Sequence, residues 1–161
     1  GRPLERDLVA QALGSVTNPG RFEVVQHDPL LILDGAHNRE GAIAAAEALA
    51  EGFMVTGVTH LVIGVLAGRN PEELLEILDA ERAATVICCT PDSPRALPAS
   101  ELAALVERAG GRPRIVDDVG DALESALAVA EPDDIVLVTG SIYTVGAARS
   151  ACRRLGLVSA P

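Results

Sequence analysis

Short apolar runs alternate along this chain with longer stretches in which apolar residues recur every three or four positions. The runs at 30–34, 60–65, 85–90 and 135–138 predict buried strands, and 114–116 predicts a shorter one. Phe22-Glu23-Val24-Val25 alternates and predicts a strand of its own. His27-Asp28-Pro29 then turns the chain, so the first two strands are expected to be antiparallel neighbours. Helical periodicity covers 38–51, 71 to about 82, about 99–109, about 119–130 and 141 to about 156. A shorter helix is expected at 4–13, with Leu4, Leu8, Val9 and Leu13 on one side.

Punctuation supports these boundaries. Asn70-Pro71-Glu72-Glu73 places Asn as N-cap, Pro at the first helical position and Glu at the third. Gly110-Gly111 stops one helix and Pro132-Asp133-Asp134 another. Strand–helix alternation at this spacing calls for right-handed crossovers. The expected fold is therefore α/β: a three-layer Rossmann-like domain with a mostly parallel sheet of about six strands, one of them antiparallel, and helices on both faces. The strand at 135–138 is apolar throughout and is expected at the centre. Residues 1–161 read as one domain, with 1–18 as a linker and lead helix.

Composition narrows the functional classes. A hydrophobic fraction of 48% over 161 residues describes a folded chain with a real core. The net charge of −10 argues against nucleic acid, since a phosphate backbone is held by a basic footprint. No apolar run is long enough for a bilayer span, and the expected location is the cytoplasm. The acids, among them Glu72, Glu73, Glu76 and Asp79, fall on expected exposed helix faces. Cys88, Cys89 and Cys152 lack the spacing of a disulfide framework or a zinc site; the adjacent pair should point to opposite sheet faces. All 13 basic residues are arginine, so a lysine-dependent phosphate loop is excluded. The chain begins at Gly1 without a methionine, which suits a piece of a longer protein.

The candidate chemistry lies where strands end. Leu33-Asp34-Gly35-Ala36-His37-Asn38 leaves a strand and enters a helix, the edge at which open α/β sheets bind ligands. Asp34 suits ribose hydroxyls, His37 a phosphate or carboxylate, and Asn38 the helix cap; loop stabilisation accounts for Asp34 and Asn38 equally well. Arg21 follows a Pro-Gly turn and could reach a nucleotide phosphate, or lie exposed. Thr139-Gly140-Ser141-Ile142-Tyr143-Thr144-Val145-Gly146 offers backbone N–H groups and the hydroxyls of Ser141 and Tyr143 to a small carboxylate; ordinary capping by Ser141 is the alternative. The glycine-containing loop 64–69 could approach a phosphate but lacks the dinucleotide-binding spacing. His27 and His60 read as structural or solvated. Nothing has metal-ligand spacing.

Pro19-Gly20-Arg21-Phe22-Glu23, the Asp34-Gly35-Ala36-His37-Asn38 segment, Gly64-Val65-Leu66 and the 139–146 segment, in this order and spacing, together resemble the C-terminal domain of folylpolyglutamate synthase/dihydrofolate synthase, of the Mur ligase family. The resemblance runs from about residue 4 to about 156. It implies a glutamate-ligase domain that closes over a central ATPase domain of the same protein, inactive by itself. In that family ATP phosphorylates a folate or dihydropteroate carboxylate, and the amine of L-glutamate attacks the acyl phosphate. The resemblance implies Arg21 near the ATP phosphates, Asp34 at the ribose, His37 at the reaction centre as the catalytic candidate, and Ser141 with Tyr143 holding glutamate. ATP and Mg2+ are the implied cofactors, the metal and phosphate loop belonging to the central domain. Arg39 departs from the family's usual proline, and Gly68-Arg69-Asn70 from its frequent Asp-Lys-Asp. A peptidoglycan-precursor ligase of the same family, or a non-catalytic nucleotide-binding module, are the alternatives; the Asp-Gly-Ala-His-Asn form favours folate.

Overall fold

The computed structural model describes residues 20–53 and 56–158, so the helix expected at 4–13 lies outside the described residues. Among the described residues the strands are β1 (Glu23–His27), β2 (Leu30–Leu33), β3 (Thr59–Ile63), β4 (Thr85–Cys88), β5 (Pro113–Ile115) and β6 (Ile135–Thr139). The helices are α1 (Arg39–Gly52), α2 (Pro71–Ile77), α3 (Ala99–Arg108), α4 (Val119–Leu127) and α5 (Ile142–Arg154). The strands form one sheet in the order β1-β2-β6-β3-β4-β5. β1 pairs antiparallel with β2, and every other pairing is parallel. β6, apolar from Ile135 to Val138 and closed by Thr139, lies between β2 and β3 and is buried on both faces.

The period of two along each strand divides the core in two. Leu30, Ile32, Leu61, Ile63, Val86, Cys88, Ile135 and Leu137 face α1, α2 and α3. Leu31, Leu33, Val62, Ile87, Cys89, Val136 and Val138 face α4 and α5. The adjacent cysteines therefore point to opposite faces, as expected. Each fully buried leucine or isoleucine contributes about 1.5–3 kcal/mol of transfer free energy, which makes the two apolar layers the main force holding the sheet.

The helix boundary that departs furthest from the sequence reading follows β3. The helix that begins at Asn70-Pro71 ends at Ile77, short of residue 82. Leu78 caps it through its N–H to the Leu74 carbonyl, and Asp79 adopts φ 54°. Ala80 is fully buried, and its N–H bonds to the Leu75 carbonyl. Burying Ala80 requires the chain to turn inward towards β4, which overrides the helical propensity of the following residues.

At the amino ends of the parallel strands, Asp134 and His60 form a buried polar lock. Asp134 accepts the Val58 N–H and the Glu131 N–H, both at 2.8 Å. His60 donates Nε2–H to Asp134 at 3.3 Å, while its Nδ1 lies 2.8 Å from the Thr85 hydroxyl. The backbone donors of Glu131 and Val58, with His60, hold the Asp134 carboxyl below the usual carboxylate range. This cluster joins the starts of β3, β4 and β6, and His60 is structural, one of the two readings its position allowed.

The carboxyl ends of β2 and β6 have a different character. These parallel neighbours send their following helices to opposite faces, α1 to one and α5 to the other. Diverging connections open a crevice between two strands, and that is where open α/β sheets receive ligands.

Candidate functional site

The site begins with the chain leaving β2. Asp34, half-buried, accepts the Phe22 N–H at 2.8 Å on Oδ2 and the Ala36 N–H at 2.9 Å on Oδ1. Gly35 N–H donates to the Gly20 carbonyl at 2.8 Å. These bonds fasten the turn bearing the exposed Arg21 to the end of β2, and they hold Phe22 at φ 47°, a conformation uncommon for a bulky residue. Glu23 secures the turn from the other side: it accepts the Gly20 N–H at 3.0 Å and Arg149 Nε–H, from α5, at 3.1 Å. A cleft of about 230 Å3 opens between Arg21, Phe22, Asp34 and the small-residue face of α1 at Gly41, Ala44, Ala45 and Ala48. The alanines that read as helix formers thus also leave room beside the Asp34 carboxylate.

His37 lies two residues beyond the turn, half-buried. Its Nδ1 is 2.9 Å from the Gly35 carbonyl, which only accepts, so Nδ1 carries the proton and Nε2 keeps a free lone pair in the neutral ring. Asn38 caps α1 by accepting the Gly41 N–H at 3.0 Å. Arg39 does not turn to the crevice; it pairs with Glu73 at 2.9 Å and links α1 to α2 on the surface.

The third component is the turn between β6 and α5. Gly140 N–H donates to the Ala36 carbonyl at 3.0 Å, and the Thr139 hydroxyl approaches the same oxygen at 3.4 Å. Gly140 has φ 102°, and a Cβ there would stand 2.6 Å from the Gly64 carbonyl oxygen, so only glycine fits. Ser141 is buried and caps α5, accepting the Thr144 N–H at 3.1 Å. Ile142 and Tyr143, the first two residues of α5, are exposed. Ile142 reaches the floor of the Arg21 turn: a Cβ on Gly20 would meet its Cδ1 at 3.2 Å.

The structure thus brings together the Arg21 turn, Asp34, His37 and the 139–143 turn through the Phe22–Asp34, Gly20–Gly35 and Ala36–Gly140 contacts. The 64–69 loop meets this junction at Gly64 and at the Val65 side chain; beyond them, Leu66 bridges Ala96 and Arg69 is exposed. Glu23, Arg149 and Thr144 were not singled out from the sequence, although Thr144 follows Ser141 by one helical turn. Burial pushes the thiols of Cys88 and Cys89 up to about 12 and that of Cys152 to about 11, which makes them poor nucleophiles at neutral pH. Among the described residues no group of three or more His, Cys, Asp or Glu side chains is arranged to hold a metal ion.

A doubly wound sheet with an arginine turn, a carboxylate, a histidine and a helix start at the carboxyl ends of two diverging strands is an α/β domain of the kind that receives ligands at that edge. The comparisons are more specific: the family model for the Mur ligase glutamate ligase domain matches residues 20–142, and the chain belongs to that family. A probable bifunctional folylpolyglutamate synthase/dihydropteroate synthase of Halobacterium salinarum is 37% identical over 152 residues, covering 94% of this chain and 18% of that protein. The crystal structure of a bifunctional folylpolyglutamate synthase/dihydrofolate synthase from Yersinia pestis, complexed with AMPPNP and Mn ion, superposes with a TM-score of 0.76 at 32% identity, covering 96% of this chain and 35% of that one. A bifunctional folylpolyglutamate synthase/dihydrofolate synthase structure with Mn, AMPPNP and L-glutamate bound gives a TM-score of 0.74 at 32% identity, covering 96% and 36%. The chain therefore spans only about a fifth to a third of these relatives.

Proposed function

We propose that this domain is the C-terminal, glutamate-ligase part of an ATP-dependent folate–glutamate ligase, acting in the cytoplasm by closing over an ATPase domain that precedes it in the same protein. The observation that supports this best is the junction at the Ala36 carbonyl, where the Asp34–His37 segment and the Gly140–Tyr143 turn meet at the crevice mouth. The relatives named above support ATP with a divalent metal and L-glutamate as the ligands of the complete enzyme.

In this reading the preceding domain carries the phosphate loop and Mg2+, which neutralises the transferred phosphate. Arg21 presents a planar set of donors to the ATP phosphate oxygens. Asp34 keeps lone pairs beyond the two N–H bonds it accepts, and these receive ribose hydroxyls. The γ-phosphate passes to the folate or dihydropteroate carboxylate, and ADP is released. The glutamate amine then attacks the acyl carbon, phosphate departs and an amide forms. His37 Nε2, with Nδ1–H fixed on Gly35, stands ready to take a proton from the amine. Ser141 and Tyr143 define the glutamate end of the crevice. Closure of the domain excludes water from the acyl phosphate and brings amine and acyl carbon together.

The test is an ATP- and glutamate-dependent assay of the full-length protein, with dihydropteroate and tetrahydrofolate in parallel. His37→Ala should lower kcat by about 10²-fold or more while leaving the melting temperature nearly unchanged, because the half-buried ring makes a single local bond. Unchanged turnover in both His37→Ala and Asp34→Ala would remove these residues from the site.

A further inference from the structure

We infer that Thr144 is a positioning residue for the amino-acid substrate, and that it leaves Ser141 no proton to offer a ligand. The inference rests on the reading that the 139–143 turn forms the glutamate end of the crevice. Thr144 is fully buried, on the first turn of α5. Its Oγ1 lies 2.7 Å from the Gly64 carbonyl oxygen and 2.8 Å from Ser141 Oγ. The carbonyl has no hydrogen, so the single hydroxyl proton of Thr144 goes to Gly64. The short contact to Ser141 then has one solution: Ser141 donates and Thr144 accepts. Ser141 Oγ also receives the Thr144 N–H at 3.1 Å. The serine hydroxyl has its proton committed and can only accept from a ligand.

The consequence is a division of labour. A glutamate carboxylate needs donors, and Ser141 Oγ–H is not one of them. What Ser141 and Thr144 supply is the position of the turn. Thr144 is the side-chain link in the place where the backbones of the β3 and β6 exits meet: a Cβ on Gly64 would lie 2.8 Å from Thr144 Oγ1, and one on Gly140 would lie 2.6 Å from the Gly64 oxygen. Gly64 N–H completes the contact with the Thr139 carbonyl at 3.2 Å. Removing the Thr144 hydroxyl orphans the buried Gly64 carbonyl and the Ser141 proton together, and takes away the side-chain link that ties the turn carrying Ile142 and Tyr143 to the end of β3.

The experiment uses the full-length enzyme with steady-state kinetics resolved for each substrate. Thr144→Val, nearly isosteric, should raise KM for glutamate about tenfold while leaving KM for ATP and for the folate substrate within about twofold, and Thr144→Ser should restore it. An even loss across all three substrates, an unchanged KM for glutamate in folded Thr144→Val, or no rescue by serine would overturn the assignment. Should Thr144→Val not fold, Thr144→Ser against Ser141→Ala decides the matter: wild-type KM for glutamate in the first and a raised one in the second support the link, while equal values overturn it. If wild-type enzyme turns over ATP without any dependence on glutamate, the functional reading fails and this inference with it.

Discussion

Asp34 and Phe22, twelve residues apart, are joined by a 2.8 Å hydrogen bond in which a side-chain carboxylate holds a backbone N–H. The carboxylate proposed to meet a nucleotide therefore also builds the turn that presents Arg21. Asp34→Ala should lower stability by about 1–3 kcal/mol for each of the two N–H groups it orphans, read from urea unfolding, and should weaken ATP binding in the full-length enzyme. Asp34→Asn keeps one acceptor oxygen and should fall between the two. If Asp34→Ala unfolds at the wild-type urea midpoint, the carboxylate is not holding the turn.

Acid should act through the Asp134 lock. Its carboxyl titrates below the ordinary range in the folded chain, so near that range the unfolded chain binds more protons. The contribution is full above the ordinary carboxylate value of about 4 and is lost as pH falls through the lower folded value. Asp134→Asn should be less stable than wild type at pH 7, and the gap should shrink steadily towards pH 3 in chemical unfolding curves. A gap independent of pH would show that the ionised form carries no special stabilisation.

Gly140→Ala should be the most damaging one-carbon change at the site. The added carbon would stand 2.6 Å from the Gly64 oxygen, and φ 102° is unfavourable for any L side chain. Loss of about 3 kcal/mol or more is expected, together with loss of glutamate-dependent turnover. A melting temperature within a degree of wild type would mean that the two loops separate freely.

The thiols should be silent in the native state. Cys88, Cys89 and Cys152 are buried, with titration pushed up to about 12, 12 and 11. A thiol-specific reagent at pH 7.5 should label none of the three before unfolding and all of them in denaturant. Rapid native labelling would reveal local opening of the sheet layers.

Much of the candidate site's placement was legible because strand ends are. The apolar run that stops at Leu33 and the one that stops at Val138 announce where side chains leave the sheet, and Asn38 and Ser141 both cap helices in the way their types favour. Glu23 and Arg149 were not legible: 126 residues separate them, and no local pattern marks an ion pair that forms only when α5 lies across the start of β1. The pairing of Asp134 with His60 was hidden for the same reason: a histidine at a strand start reads as structural or solvated, and only the sheet register sets it between Asp134 and Thr85.

What the order of residues settled alone was local and periodic. Among the described residues it settled which segments are strands and helices, though not every boundary, that β1 turns back on β2, that the Cys88 and Cys89 side chains part to opposite faces, and which stretches leave strands at their carboxyl ends. Those features follow from steric and hydrophobic rules acting over a few residues. Tertiary structure alone decided that β6 inserts between β2 and β3, bringing Ala36, Gly64 and Gly140 into contact across more than seventy residues of chain. It also decided that hydroxyl protons at that junction are already spoken for. Proton direction depends on which acceptor lies within reach, and reach is a property of packing rather than of sequence.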